Sequence, residues 1–302
     1  MSRPREALIA ALRARGELWE PAPGLVGLRG NALALLRRID RLIAARCAAE
    51  MADEWAVPAA VPLAVLERAQ YFASFPQWLT LASHLTDDVA TLERVARSGA
   101  PARSAARAAS PAAAALPPAV CYHVYAALAG TRLRARHVVT AQGCCWRHEG
   151  ERFAPLERGW AFTMREIVCL GSAADCAAFR ERGVEMARSL AAALDLEAWI
   201  EVAEDPFFAP TARGRALLQR VKGLKYELRL PTGDGESMAA ASFNLHEQFF
   251  GEAFDIRLAN GEPAHSACVA FGLERWLLAA LLRSEPAAAP AKRHVGSHEV
   301  MV

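Results

Sequence analysis

Strand patterns joined by short loops are the feature that most constrains the fold of this chain. Residues 144–168 (CCWRHEGERFAPLERGWAFTMREIV) are typical of two strands and a loop, and the alternation in residues 223–231 predicts a half-exposed strand. Long amphipathic patterns such as residues 172–196 predict helices that alternate irregularly with these strands. This order predicts an α+β fold, an antiparallel sheet flanked by helices, and not a doubly wound parallel sheet.

The patterns divide the chain into three parts. Residues 1–58 are a predicted N-terminal helical region, because residues 31–51 carry Leu33, Leu36 and Ile39 at helical spacing. Residues 59–284 hold the remaining elements and form the main domain, and residues 285–302 are a predicted flexible tail. Within the main domain, the Ala/Pro/Ser-rich residues 98–120 have the composition of an exposed loop or linker.

Composition narrows the class of protein. The 302 residues are 53% hydrophobic and 23% charged, as in globular proteins, with room for one large domain or two. A net charge of +2 provides no global basic field for nucleic acid. No apolar run approaches the roughly 18 residues of a membrane span. The N-terminus is charged where a signal peptide would be apolar, so we expect a cytoplasmic protein without a membrane partner.

The cysteines do not form a recognisable spacing motif. Seven are present, and they occupy positions 47, 121, 144, 145, 169, 176 and 268. An odd number without a CxxC pair or a secretory context does not favour a disulfide framework. Taken singly, each is more often a small buried hydrophobic residue than a metal ligand.

Residues 144–168 combine charge and aromatic side chains in an unusual way for a strand that only covers a core. Side chains two apart on a strand share a face. One surface of the hairpin is therefore predicted to carry Arg147, Glu149, Arg158, Trp160, Phe162, Met164 and Glu166. Guanidinium groups suit phosphate oxygens and an aromatic ring suits a purine face. The same pattern is equally typical of a surface hairpin with cross-strand ion pairs.

At this point the motifs resemble a known family. WRHE, LERGWAF and MREIV (146–149, 156–162 and 164–168) resemble motif 2 of class II aminoacyl-tRNA synthetases, closest to the seryl branch. ACVAFGLERWLLAALL (267–282) is similar to motif 3, and YFASFPQWLT (71–80) resembles motif 1 with Pro76 at the dimer interface. LPPAVCYHVY, the segment 204–228 and ASFNLHEQFFG further resemble the amino acid:[carrier protein] ligases, which are truncated seryl-type homologues. Together the motifs cover roughly residues 60–283.

The resemblance implies a fold and a set of residue roles. It implies a homodimer in which residues 59–284 form a catalytic domain with an antiparallel sheet of six or so strands. Arg147 matches the arginine that holds the α-phosphate of ATP and the amino acid carboxylate, and Arg275 matches the motif 3 arginine beyond the triphosphate; these two are the catalytic residues. Glu149 matches the reader of the adenine amino group, Phe162 the ring stacked on adenine, and Arg158 the residue near the γ-phosphate. Further ATP contacts are implied for Lys225, Ala241, Ser242, Phe243 and Asn244.

The resemblance also implies a zinc site made by two thiolates and a carboxylate. The matching residues are Cys121, Glu166 and Cys268. Three protein ligands leave one tetrahedral position open, which a neutral α-amino group can fill. Cys145 is a rival ligand, since it shares a strand face with Arg147, whereas Cys169 lies on the face opposite to Glu166 and is assigned to the core.

Several residues near the motifs receive a different interpretation. His123, His148 and His246 are more often hydrogen-bonding or structural histidines than ligands or bases. Ser237 stands where the seryl branch commonly holds a metal-binding glutamate, with Glu236 beside it, so the Mg²⁺ ligands stay open.

The implied function is ATP-dependent activation of a small amino acid (glycine, alanine or serine) as an aminoacyl-adenylate. The aminoacyl group then passes to the phosphopantetheine thiol of a carrier protein, with ATP, Mg²⁺ and Zn²⁺ as cofactors. A seryl-type tRNA-charging enzyme is one alternative, but only about 55 residues replace the long N-terminal arm that grips tRNA. A non-catalytic synthetase paralogue is the other, and the presence of Arg147, Glu149, Phe162 and Arg275 argues against it.

Overall fold

The computed structural model describes residues 4–150, 152–208 and 213–284. Its first part contains the predicted helices and, between them, a hairpin. The elements are α1 (Pro4–Ala14), β1 (Leu18–Ala22), β2 (Leu25–Leu28), α2 (Gly30–Cys47) and β3 (Asp53–Ala56). The purely helical interpretation of this region is wrong for β1, β2 and β3, which have only four or five residues each and leave too short a pattern to detect.

The next part of the chain forms a three-stranded sheet and several short helices. Its elements are β4 (Val61–Pro62), α3 (Leu63–Arg68), α4 (Tyr71–Ser74), β5 (Thr80–Ala82), α5 (Val89–Ala96), α6 (Pro101–Arg107), β6 (Ala114–Leu116) and α7 (Cys121–Ala127). The strand order is β4–β6–β5. The prediction of an exposed linker over residues 98–120 is therefore wrong: α6 and β6 lie within it, and Ala115 is fully buried. Alanine has high helix propensity and can be buried without a polar cost, so low complexity alone does not indicate a linker.

The remaining elements build the main sheet. They are β7 (His137–Trp146), β8 (Ala161–Gly171), α8 (Ala173–Ala193), β9 (Trp199–Val202), α9 (Arg213–Val221), β10 (Lys225–Pro231), β11 (Ser237–Glu247), α10 (Phe249–Phe254), β12 (His265–Gly272) and α11 (Leu273–Ser284). The seven strands follow the order β3–β7–β8–β12–β11–β10–β9. Only the β3–β7 pair is parallel among these described strands. The predicted α+β fold with an antiparallel sheet is confirmed.

Helices cover both faces of the sheet, and β8 carries buried apolar side chains on both of its sides. Along β8, Ile167 and Cys169 pack with side chains of α1, α2, α8 and α11. Val168 and Leu170 point to the other face and pack with α7 and α10. The assignment of Cys169 to the core, on the face opposite to Glu166, is confirmed. Helix α8 approaches the sheet closely at Gly183, where a Cβ would lie 2.5 Å from Val269 Cγ2.

The N-terminal helices share this core. Leu12 and Ile39 are fully buried in the same cluster as Ile167 and Phe271. The division of the chain at residue 58 stays a prediction, and the predicted tail 285–302 lies outside the described residues. Among the described helices, none has the length and apolar character that a membrane crossing requires.

Candidate active site

A cavity of about 360 Å³ opens on the sheet where β8, β12, β11 and β10 run side by side. Of the predicted site residues, it is lined by Cys121, Arg147, Glu149, Arg158, Phe162, Glu166, Lys225, Ala241, Ser242, Asn244, Cys268 and Arg275. These residues come from positions 121 to 275, so only the fold brings them together. The cavity has the size of a small-molecule site.

Arg147 is fixed in the cavity by one hydrogen bond and two aromatic rings. Its Nε donates to the carbonyl oxygen of Pro118 at 2.9 Å. Its guanidinium carbon lies 5.4 Å from the ring centre of Phe162 and 5.6 Å from that of Trp78. The aromatic faces restrict the rotation of the side chain, and most of its donors stay available for an anionic ligand.

Arg158 and Arg275 approach the cavity from the loop 152–160 and from α11. Arg158 pairs with Glu149 at 3.6 Å. Arg275 donates from Nε to the carbonyl oxygen of Glu157 and from Nη1 to that of Ala239, both at 2.7 Å. Desolvation lowers the pKa of Arg275; Glu149 opposes this effect, and the positive charges of Arg147 and Arg158 add to it. Three guanidinium groups that repel one another in this way favour a polyanion between them.

The hairpin is confirmed, but three of its charged residues do not lie on strands as expected. β7 ends at Trp146 and β8 begins at Ala161, so Arg147, Glu149 and Arg158 belong to the connection. Trp160, expected on the same face, does not line the cavity, and its Nε1 donates to Thr80 Oγ1 at 2.9 Å. The strand rule holds for Phe162, Met164 and Glu166, which alternate on β8 and all line the cavity.

Of the predicted ATP-binding residues on β10 and β11, some point into the cavity and one points into the core. Lys225 is buried and pairs with Asp205 at 2.7 Å and Glu227 at 3.0 Å. These two carboxylates outweigh burial and raise the pKa of Lys225, so it stays charged. Phe243 is the exception among the predicted residues: its side chain is fully buried in the core and does not line the cavity. Because neighbouring strand residues point to opposite faces, the side chain of Phe243 points away from those of Ser242 and Asn244. A contact of Phe243 with ATP stays a prediction.

Cys121, Glu166 and Cys268 form a buried cluster at one end of the cavity. Their ligand atoms all lie within 4.8 Å of one another. Cys121 is the first residue of α7, Glu166 lies on β8, and Cys268 is on the neighbouring strand β12. The Glu166 carboxylate also accepts a hydrogen bond from the backbone N–H of Cys121. Two sulfurs and one oxygen at this spacing fit a tetrahedral zinc ion with one open position.

The protonation of the cluster follows from its burial. Burial raises the pKa of Glu166, although hydrogen bonds from Cys121 oppose this effect. The hydrogen bond between the two thiols lowers the pKa of Cys121, but burial and the Glu166 carboxylate together raise it. The same hydrogen bond and burial raise the pKa of Cys268. Three groups that are costly to ionise alone are a donor set that a divalent cation would stabilise.

Cys145, the rival ligand, is not part of this cluster among the described residues. It is fully buried between strands and packs with Val120, Ala141, Met164 and Ala270. The strand that carries Cys145 ends at Trp146, before Arg147, so the expected shared strand face with Arg147 is absent, and Cys145 packs mainly against apolar side chains.

The histidines differ in their surroundings. His246 lines the cavity, and its Nδ1 lies 3.3 Å from Ser266 Oγ and 3.4 Å from Tyr125 Oη. Burial lowers the pKa of His246 to about 4 and also lowers the pKa of His123. His148 is exposed and packs edge-on against Trp160. No described histidine belongs to the Cys121–Glu166–Cys268 cluster.

Several cavity residues escaped the sequence analysis. Trp78, Asp205, Glu227 and Glu274 line the cavity. Glu274 accepts hydrogen bonds from the backbone N–H of Thr163 at 2.9 Å with both oxygens. Its signal was the charged pair Glu274–Arg275 at the start of an otherwise apolar helix. Ser237 does not line the cavity, and its hydroxyl binds Arg229 instead.

Comparisons of sequence give named relatives. The chain is 35% identical over 225 residues to amino acid–[acyl-carrier-protein] ligase 1 of Bradyrhizobium diazoefficiens, covering 74% of this chain and 68% of that protein. Ligase 2 of the same organism is 36% identical over 225 residues, with 74% and 67% coverage. The type-2 serine–tRNA ligase of Methanothermobacter thermautotrophicus is 27% identical, over 73% of this chain and 45% of that protein. No protein-family model matches the chain.

Solved structures agree on the fold. The M. kandleri SerRS, crystallised with A. aeolicus tRNASec, superposes with a TM-score of 0.82 at 21% identity, covering 91% of this chain and 56% of that one. The Giardia lamblia prolyl-tRNA synthetase, in complex with prolyl-adenylate, gives a TM-score of 0.69 at 14% identity, with 92% and 52% coverage. The fold is therefore that of the class II aminoacyl-tRNA synthetases.

Proposed function

Because the chain belongs to the family of amino acid–[acyl-carrier-protein] ligases, we propose that it activates a small amino acid with ATP. The aminoacyl group then passes to the phosphopantetheine thiol of a carrier protein. The observation that carries the proposal is one cavity that combines Arg147, Arg158 and Arg275 with the Cys121–Glu166–Cys268 cluster. The guanidinium groups suit a triphosphate, and the cluster suits an ion that holds an amine.

In the first step, a carboxylate oxygen of the amino acid attacks the α-phosphorus of ATP. The new P–O bond forms as the bond to the bridging oxygen breaks, and pyrophosphate leaves. Arg147 neutralises the α-phosphoryl group, and Arg158 and Arg275 stabilise the departing pyrophosphate. Phe162 provides a face for adenine, and Glu149 accepts from its amino group. Catalysis consists mainly of positioning and charge neutralisation.

In the second step, the carrier thiolate attacks the carbonyl carbon of the aminoacyl-adenylate. A thioester forms and AMP leaves with the bonding electrons. Cys121, Glu166 and Cys268 would hold zinc, which when bound supplies a Lewis-acid anchor for the neutral α-amino group. Mg²⁺ would be held by the phosphates and by a cavity carboxylate such as Glu227, since it prefers oxygen ligands.

The amino acid is proposed to be glycine, alanine or serine. Bulky side chains in the cavity wall support a small substrate: Tyr122 follows Cys121, Met164 lies two residues before Glu166 on β8, and both line the cavity with His246. One methylene in such a pocket changes binding by only about 1–3 kcal/mol, so selection among these three is expected to be loose.

A carrier protein rather than tRNA is the proposed acceptor. Helix α9 is exposed at Leu217 and Val221 and carries Arg220 on its surface, and Gln219 connects it to the cavity residue Asp205 at 2.8 Å. An acidic carrier with an apolar patch would fit this surface. tRNA binding requires many phosphate contacts, and a net charge of +2 supplies few of them. We also propose a cytoplasmic homodimer.

The test is amino-acid-dependent ATP–pyrophosphate exchange across all amino acids, with zinc content measured in the same sample. Exchange with a small amino acid, followed by the mass shift of a phosphopantetheinylated carrier protein, is the expected result. Charging of total tRNA in its place would instead identify the tRNA-charging alternative. Absence of exchange with any amino acid would identify a non-catalytic paralogue.

A further inference from the structure

The N-terminal segment contacts the loop that carries Arg158. Arg5, in the first turn of α1, forms an ion pair with Glu157 of this loop, and its Nη2 lies 3.9 Å from Asp234 Oδ2. The side chains of Arg5 and Glu157 are 17% and 22% exposed. An ion pair that is partly shielded from solvent keeps more of its strength than a surface pair.

The turn between β1 and β2 supports the same loop from a second side. The carbonyl oxygen of Gly24 accepts from the backbone N–H groups of Trp160 at 2.8 Å and Ala161 at 3.2 Å. Gly24 has a φ of +77°, and a Cβ there would lie 2.6 Å from Cδ1 of Phe153. Only glycine fits between turn and loop. The next strand brings Val26 to the cavity wall.

The inner side of the loop contacts the predicted ATP-binding residues. The carbonyl oxygen of Glu157 accepts from Arg275 Nε at 2.7 Å, and Arg158 pairs with Glu149. Leu156 anchors the loop in the core, where it is 3% exposed. The side chain of Glu157 therefore pairs with Arg5, and its carbonyl oxygen accepts a hydrogen bond from Arg275. This one residue connects α1 to the cavity.

We propose that Arg5 is a positioning residue that holds the loop 152–160 in the conformation that binds ATP. The inference rests on the proposed function, because that function assigns ATP binding to Arg158 of this loop. Arg5 touches no ligand itself; it acts through Glu157 on Arg158 and Arg275. Ordering a loop costs conformational entropy, and a loop that is ordered in advance leaves more of the binding energy for affinity.

The position of the loop makes the expected effect selective. The Cys121–Glu166–Cys268 cluster lies on α7, β8 and β12, and none of its residues belongs to the loop. Loss of Arg5 is therefore expected to weaken ATP binding without changing the affinity for the amino acid. A residue with only a general structural role would affect both substrates together.

The experiment compares Arg5→Ala, Arg5→Lys and the control Arg13→Ala. Arg13 pairs with Glu20 within the N-terminal segment, so the control removes a similar ion pair away from the loop. In pyrophosphate exchange, Arg5→Ala is expected to raise the KM for ATP about fivefold and to change the KM for the amino acid less than twofold. Arg5→Lys is expected to restore part of the loss, and Arg13→Ala to match the parent protein.

Hydrogen–deuterium exchange of the loop provides a measurement that does not depend on activity. The backbone amides of residues 152–160 are expected to exchange hydrogen for deuterium faster in the Arg5→Ala variant than in the Arg13→Ala variant. In a double-mutant cycle, the combined variant Arg5→Ala/Glu157→Gln is expected to show a smaller increase in deuterium exchange of the loop than the sum of the increases in the two single variants. Unchanged loop exchange in Arg5→Ala, or a parallel rise in both KM values, would overturn the inference. If the parent protein lacks pyrophosphate exchange, the proposed function fails. Hydrogen–deuterium exchange alone then decides whether Arg5 holds the loop 152–160.

Discussion

Arg147 illustrates how much depends on the type of a single residue. Its planar guanidinium donates to Pro118 and lies between two aromatic rings, and it can still present two parallel donors to a phosphate. A lysine would keep the charge but lose the fork and the stacking. The predictions at this scale test the charge, the metal ligands and a titrating group separately.

Replacing Arg147 is expected to remove most of the activity. Arg147→Ala should lower kcat/KM in pyrophosphate exchange about 100-fold, because a charge that stabilises the transition state is lost. Arg147→Lys should recover only part of it. Arg188→Ala, at an exposed position of α8, is the matched control and should stay within twofold of the parent. Equal activity of Arg147→Ala and the control would contradict the assigned role.

The Cys121–Glu166–Cys268 cluster predicts that loss of a cysteine lowers the zinc content only when that cysteine belongs to the cluster. Cys268→Ser should reduce bound zinc from about one ion per chain to a small fraction after dialysis, as measured by elemental analysis. Cys144→Ser removes an exposed thiol outside the cluster and should keep the zinc. Full zinc in both variants would mean that the ion is held elsewhere.

His246 predicts a sensitivity to acid. Burial holds its pKa at about 4, below the ordinary value of 6.5, so the folded chain binds fewer protons than the unfolded chain between these values. The stability that depends on neutral His246 is complete above pH 6.5 and is lost as the pH falls to 4. The loss is at most about 3 kcal/mol, because the side chain borders the cavity and retains some solvent.

Thermal unfolding of the metal-free protein between pH 7 and 4 measures this effect. His246→Gln should flatten the fall of Tm with acid, whereas His84→Gln, at an exposed histidine, should follow the parent curve. Parallel curves for all three proteins would show that His246 does not couple to unfolding.

At the scale of elements, α2 is attached to the sheet by a buried cation. Arg165 of β8 donates to Asp40 of α2 at 2.6 and 3.0 Å and to Glu54 of β3 at 3.0 Å. Its neighbour Glu166 points to the opposite face, so one strand carries the attachment of α2 on one side and a cluster residue on the other. This pair connects the predicted helical region to the predicted catalytic domain.

Removing the partner of Arg165 is expected to destabilise the whole fold. Asp40→Ala leaves a buried guanidinium with Glu54 alone and should lower the free energy of unfolding by about 2 kcal/mol. Denaturant titration measures the change. Arg41→Ala, on the exposed side of the same helix, should change stability by less than about 0.5 kcal/mol. A similar loss in both variants would show that helix α2 is sensitive in general.

For the whole molecule, apolar side chains lie exposed just after residues 71–80, the segment that resembles motif 1. Leu81 is 57% exposed and Val89 68%, both near Pro76 in the chain. Such side chains in one segment suit an interface between two copies.

Sedimentation is expected to give about twice the 32.6 kDa of one chain. Leu81→Arg should shift the equilibrium to monomers, while Leu217→Arg on α9, which is also exposed, should not. A monomeric parent protein, or dissociation by Leu217→Arg alone, would place the interface elsewhere.

Patterns along the sequence predicted the fold class and the hairpin of β7 and β8. Of the side chains expected at the cavity, all line it except Phe243 and Trp160. Local periodicity is enough for the fold class and the hairpin, because it depends on neighbours along the chain, whereas the site residues were implied by motifs shared with a known family. The sequence did not predict the hairpin β1–β2 or the strand β6, since short elements leave weak patterns. It also did not predict that the Phe243 side chain is buried in the core. The approach of Cys121, Glu166 and Cys268 to within 4.8 Å of one another, and of Arg5 to Glu157, depends on the tertiary structure. These contacts join residues 45 to 152 positions apart, and no local pattern encodes such distances.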